Sequence, residues 1–304
     1  MERAPERCRG FYKLCDRSKT STSRRSHVGF FFNTAACRML TLKLTLVPLF
    51  LLIVSMSGKW WGPTIAGWLA GLPVVAGPIL FLLVLAHGPL FGAHAAALSL
   101  SAILASEAFN FAYAWSCRSN HWSVSLAVGL LAWLVAAISL SFMPASPAYA
   151  IAAALAAIAF GQSFLPRSGA SATNSPLTRR DLAVRMIAGA VLTVLVTALS
   201  SAVGAKWSGL LAVFPLLGIV LSVSSHRAHG PDFVISLLRG MVLGRFSFAA
   251  FCLWLTFKLP TTSTTAAFVE AAALAMFVQW ATKRVANAQH ARLKGASVIP
   301  VSEE

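Results

Sequence analysis

An all-α, polytopic transmembrane bundle is the fold this sequence predicts, and three observations carry the prediction. Apolar runs of about twenty residues recur from residue 40 to residue 282, the length a helix needs to cross a hydrocarbon core of ~30 Å. The chain of 304 residues is 57% hydrophobic and only 11% charged, with mean hydropathy +0.73. Its basic residues gather at the ends of the apolar runs, as membrane topology requires. A β-barrel would show short alternating segments instead.

In order, residues 1–38 stand apart. They are Arg/Ser-rich, hold nine of the 25 basic residues and three of the five Cys, and show no apolar period. They read as a disordered tail or as sequence upstream of a true start at Met39. Nine apolar segments follow, at 40–57, 64–86, 90–115, 122–142, 146–165, 182–203, 207–225, 232–257 and 261–282. The second carries Gly67, Gly71, Pro73, Gly77 and Pro78, and the seventh carries Gly209, Pro215 and Gly218. Pro removes a backbone donor and frees a carbonyl, so both spans are expected to be interrupted there, either as broken helices that expose backbone to a ligand or as kinks that serve helix packing. His-Gly-Pro at 87–89 and at 229–231 reads as a tight turn after each broken span. Trp60, Trp61 and Trp207 fall at span ends, as aromatic-belt anchors do. The Ser/Pro/Arg stretch 166–181 is the one long polar connection, and 283–304 is a polar tail.

The echo AHGPLF (86–91) and AHGPDF (228–233) extends along the chain at a constant offset of 142 residues. Leu40 aligns with Leu182, Lys43 with Arg185, Gly62 with Gly204, Gly67 with Gly209, Pro73 with Pro215 and Phe109 with Phe251. Matches at Gly and Pro reflect backbone demands and not greasiness, so they indicate an internal repeat. The division is then 1–38 tail, 39–143 first four-span repeat, 144–181 linker span and loop, 182–284 second repeat and 285–304 tail. If 146–165 crosses, the two repeats are inverted, as in many secondary transporters. Nine spans with the N-terminus outside place Lys59, Arg118, Arg167, Arg179, Arg180, Arg227, Lys283, Arg284, Arg292 and Lys294 inside. Only Lys43, Lys206 and Lys258 then lie outside. An eight-span rival, with 146–165 on the surface, sorts the charges less well unless the basic residues 1–38 are cytoplasmic.

The segments LAVRMIAGAVLTVLVTALSS and KWSGLLAVFPLLGIVLSVSSHRAHG of the second repeat resemble the GlpM-like four-span inner-membrane protein family. The likeness lies in Gly209, Pro215 six residues on, Gly230 fifteen later, and a following helix with an early Arg. Arg239 departs from that pattern by about a turn, and the first repeat has Ala97 at its place. The resemblance implies a bacterial inner membrane and a duplicated, fused unit. It implies no catalytic residues.

Charges inside spans are costly in hydrocarbon and mark function or structure. Four occur: Glu107, Arg239, Arg245 and Glu270. Counting residues from the inner ends of the spans pairs Glu107 with Arg239 and Glu270 with Arg245. Asn110, three residues after Glu107, shares its face. The expected function is passage of a small, anionic solute at the repeat interface, with an Arg as its ligand and a Glu gating or relaying protons. The alternative is a non-catalytic accessory subunit of an envelope assembly, the ion pairs being structural. No H-E-x-x-H, G-x-S-x-G, phosphate-binding loop or carboxylate cluster occurs, so no enzyme, cofactor or metal is expected. The distribution of basic charge argues against a nucleic-acid partner. The lipid bilayer is the expected partner, and a homo-oligomer is left open.

Overall fold

In the computed structural model the chain is described over residues 44–142, 146–166, 179–202 and 214–296. All of these belong to one compact unit, Leu42–Glu304. Residues 1–38, Lys43, Lys206, Trp207, Gly209 and the loop 167–178 lie outside the described residues.

The described residues form ten helices: α1 (Leu44–Trp61), α2 (Pro63–Ala70), α3 (Ala76–His87), α4 (Pro89–Ser116), α5 (Trp122–Ser141), α6 (Pro147–Phe164), α7 (Arg179–Ala202), α8 (Leu216–His229), α9 (Pro231–Lys258) and α10 (Thr264–Ala296). Six are long and apolar enough to cross a membrane: α1, α4, α5, α6, α9 and α10 as far as Val285. Their outward faces carry stripes at helical spacing, for example Val124, Val128, Leu131, Val135 and Ile138 on α5. Exposed apolar area on this scale suits lipid and not water. The chain is an integral, multi-pass membrane protein. Trp60 and Trp61 stand 63% and 61% exposed at the end of α1, as belt residues do.

The core is the pair α4 and α9, each 28 residues long and each opened by a Gly-Pro step. Gly88 and Gly230 take φ of 91° and 80° with ψ of 168° and −177°, a region open in practice to Gly alone. In each turn the preceding His stacks on a Phe of the next helix: His87 on Phe91 at 4.8 Å, and His229 on Phe233 at 4.3 Å. Helix ends recur at a spacing of 142 residues: Pro89 and Pro231, Ser116 and Lys258, Trp122 and Thr264.

Contacts fix the helix directions. Gly92 near the start of α4 lies against Leu259 just past α9, while Glu107 lies against Arg245. The two central helices therefore run antiparallel. Gly189 of α7 likewise meets Val47 and Leu51 of α1, and Arg185 meets Ser55, so this pair is antiparallel too. α6 runs through the bundle against α4 and α9, burying Ala150, Ala154, Ala157, Ile158 and Gly161. That stripe, at 3.6-residue spacing, is why 146–165 packs as a bundle member.

The second span is broken as its punctuation predicts, but at fewer positions. The non-helical stretch is 71–75 around Pro73. Gly67 is helical in α2, and Gly77 and Pro78 fall in the first turn of α3, where Pro is tolerated. In the partner segment Pro215 is the N-cap of α8, and Gly218 lies inside that helix. Gly67 and Gly71 instead serve contact. A Cβ on Gly67 would strike the carbonyl of Leu237, and one on Gly71 the backbone of Gly244. Reciprocally, Gly240 faces the Thr64 carbonyl and Gly244 the Trp68 carbonyl. Two small-xxx-small pairs thus let α2 and α9 approach backbone to backbone.

Candidate functional site

On α4 a buried stripe runs through Ala96, Leu100, Ile103, Glu107, Asn110 and Ala114, spaced by three and four residues as one helix face requires. That face meets α9. Glu107, 4% exposed, takes a hydrogen bond and ion pair from Arg245 Nε at 3.0 Å. Asn110 Nδ2 donates to both Glu107 carboxylate oxygens, at 3.3 and 3.2 Å. The Asn110 amide oxygen, also buried, has no partner and faces Gly218 of α8. Arg245 lies near the middle of α9 and keeps 15% exposure. This is a charge-assisted cluster in a dry setting, where such bonds are strongest.

The pairing differs from the one that depth along the spans predicts. Arg239 is half-buried and donates to the carbonyls of Leu165 (2.8 Å) and Pro166 (3.4 Å), at the C-terminal end of α6. A cation suits that site, because the last carbonyls of a helix lack intrahelical partners. Six residues separate Arg239 from Arg245, about 240° around a helix. The two therefore face different neighbours whatever their depths. Glu270 is exposed and accepts from Trp254 Nε1 at 3.1 Å, over a ring that also carries the Lys258 ammonium. It leaves Arg245 to Glu107.

Polar support around the break has no signal in the spacing of the sequence. Gln279 of α10 donates from Nε2 to the Trp68 carbonyl at 2.9 Å, capping the end of α2 where Pro73 interrupts the ladder. Ser247 donates to the Ala275 carbonyl at 2.8 Å, tying α9 to α10.

Sequence reasoning also misses Arg185 as a site residue. It is 3% exposed, and donates to Ser55 Oγ at 3.2 Å and Ser225 Oγ at 3.3 Å. The signal lies in the alignment of Lys43 with Arg185, which reads equally well as a span-end charge.

Where α4 and α8 end together, an open cleft of about 510 Å³ is lined by His121, Trp122, His226, Arg227, Gly230 and Pro231. Arg227 stacks over Trp122 at 5.4 Å, and Tyr113 shares a 3.2 Å hydrogen bond with His226 Nδ1. Burial lowers the proton affinity of His226, and His121 nearby adds to the effect. Arg118 and Arg227 thus share one end of the bundle.

Cys117 and Cys252 are buried and unbridged. No group of three metal-ligating side chains occurs among the described residues. Comparison of the chain with protein-family models, with curated proteins and with solved structures finds no match.

Proposed function

We propose that this protein is a transporter or permease for a small, anionic solute, with its path between α4 and α9. The observation that carries the reading is the Glu107–Arg245–Asn110 cluster, held at the contact of α4 and α9. A carboxylate and a guanidinium deep in apolar surroundings are costly. The residual exposure of Arg245 and the unpartnered Asn110 oxygen leave room for a solute to compete for that cluster.

The scaffold of this reading is nine crossings in two inverted copies of one four-span unit, joined by α6. The recurring helix ends and the twin Gly-Pro turns support it. So does the antiparallel packing of α1 on α7 and of α4 on α9, because inverted copies place equivalent helices head to tail. Gly189 even meets Val47, its own counterpart at the 142-residue offset. Arg118, just past the end of α4, and Arg227, near the end of α8, would be separated by the eight-span arrangement but lie at one end of the bundle, which the positive-inside rule makes cytoplasmic. The N-terminus is then outside and the C-terminus inside, in a bacterial inner membrane as the GlpM-like resemblance implies.

Reporter fusions at 144, 172 and the C-terminus test the scaffold. Opposite signals at 144 and 172 are expected, and equal signals would remove the inversion. For the function, proteoliposomes carrying the full chain are assayed for uptake of phosphate, acetate and glucose. An anion flux that Arg245→Gln abolishes, with the protein still folded, is the expected result. No flux for any solute, with a partner protein co-purifying, would favour the accessory-subunit alternative.

A further inference from the structure

Apart from the α4–α9 cluster, a second buried cation lies between α1, α7 and α8. Two Arg185 nitrogens reach the hydroxyls of Ser55 and Ser225, while its Nε is buried with no partner. Several helical serines elsewhere in this bundle return their hydrogen to a carbonyl one turn back, as Ser99 does to Ala95, Ser139 to Val135 and Ser224 to Val220. Ser55 and Ser225 each accept from Arg185, and their own hydrogens meet no acceptor among the described residues. Ser222, three residues before Ser225 and so on the same face of α8, is fully buried with an unpartnered hydroxyl.

Arg185 Nε and the hydroxyls of Ser55, Ser225 and Ser222 are therefore four donors with no acceptor among the described residues. Asp181, a turn earlier on α7, acts on Arg185 through space. A buried guanidinium with no carboxylate in contact costs several kcal/mol, and donors aimed at nothing add to that cost. A multivalent oxyanion is the chemistry that removes both penalties: it supplies the charge and several acceptors, and Arg is well suited to hold it.

We propose that Arg185, Ser55, Ser225 and Ser222 form a binding site for a phosphate group. Arg185 sits six residues into α7, about 9 Å from its start, the depth at which free phosphate or the phosphodiester of a lipid headgroup meets the helix ends. The site is independent of the Glu107–Arg245 path, so it stands or falls without the transport reading.

The test uses the full chain in an uncharged detergent and in nanodiscs. Inorganic phosphate is titrated against chloride at matched ionic strength, with thermal unfolding and radiolabelled-phosphate binding as readouts. In parallel, retention of phosphatidylglycerol against phosphatidylcholine is read by native mass spectrometry. Saturable binding of phosphate identifies the free ion, and selective retention of phosphatidylglycerol identifies the lipid. In either case Arg185→Gln should weaken binding about 100-fold, the scale of a lost charge-assisted contact. The Ser55→Ala/Ser225→Ala variant should weaken it about tenfold. That variant keeps the core volume, so it decides the matter if Arg185→Gln does not fold. Absence of both binding modes in the parent chain overturns the proposal, and so does undiminished binding in the serine variant.

Discussion

The two halves of the bundle share a backbone plan and differ in chemistry. α4 and α9 have the same length, the same opening turn and the same stacked His–Phe pair. Position by position at the 142-residue offset, however, Arg245 corresponds to Ile103, and Glu107 to Ala249. Gly240 and Gly244 correspond to Leu98 and Ala102. The features shared are those that shape the chain, while each charge of the ion pair, and each contact glycine of α9, has an apolar residue with a side chain at its counterpart in the other half. Polar chemistry is distributed asymmetrically over a recurring backbone frame, and that asymmetry is what the following variants probe.

The largest effect is expected at Gly240. A Cβ there would meet the Thr64 carbonyl of α2, so Gly240→Leu forces two backbones apart. The cost should exceed the ~1–3 kcal/mol of ordinary overpacking, seen as loss of monodisperse protein after extraction. The mirror change, Leu98→Gly, sits on a residue 56% exposed and should cost about 1 kcal/mol through helix propensity alone. Equal damage from the two would mean that the halves are interchangeable in packing.

Next comes the ion pair. Removing one partner leaves a buried charge alone, so Glu107→Ala and Arg245→Ile should each lower stability by about 3–5 kcal/mol. Each installs the residue of the other half. The double variant Glu107→Ala/Arg245→Ile leaves no orphan charge, and its unfolding temperature should return near that of the parent. If the cluster also serves a solute, the same double variant is folded and inactive in the flux assay. A double variant that unfolds with the singles would show that the pair contributes more than mutual neutralisation.

Much of this architecture is legible in sequence because Gly, Pro and apolar length act locally. Gly-Pro sets the starts of α4 and α9, and the apolar runs locate most helices to within a few residues, although α10 runs on to Ala296, well past the run that ends at 282, and α8 starts only at Leu216. The site is legible as a set of charges but not as a set of partners. Counting depth along a span places Glu107 level with Arg239; it carries no azimuth, and azimuth sends Arg239 to the end of α6 and Arg245 to Glu107. The glycines of α2 read as a break, yet their spacing, with that of Gly240 and Gly244, also encodes a contact. Residue spacing within a helix shows a small face, but only the fold supplies the second helix that fills it. Arg185 shows the same limit, since its enclosure comes from α1 and α8, each distant from it along the chain.

The smallest expected effects lie at the shared turns, where the two halves should answer alike. Gly88 and Gly230 hold the same positive-φ geometry, and a Cβ added at either would meet nothing within 4 Å, so Ala there brings strain and no clash. Gly88→Ala and Gly230→Ala should each cost about 1–3 kcal/mol, measured as shifts in thermal unfolding of the full chain. Their equality is the informative quantity. Matching losses mean that each turn acts by backbone conformation alone, as expected of two turns of the same geometry. A loss confined to Gly230, which borders the cleft containing His226 and Arg227, would mean that the second turn also serves that cleft, and the asymmetry of the halves would then reach the backbone as well as the side chains.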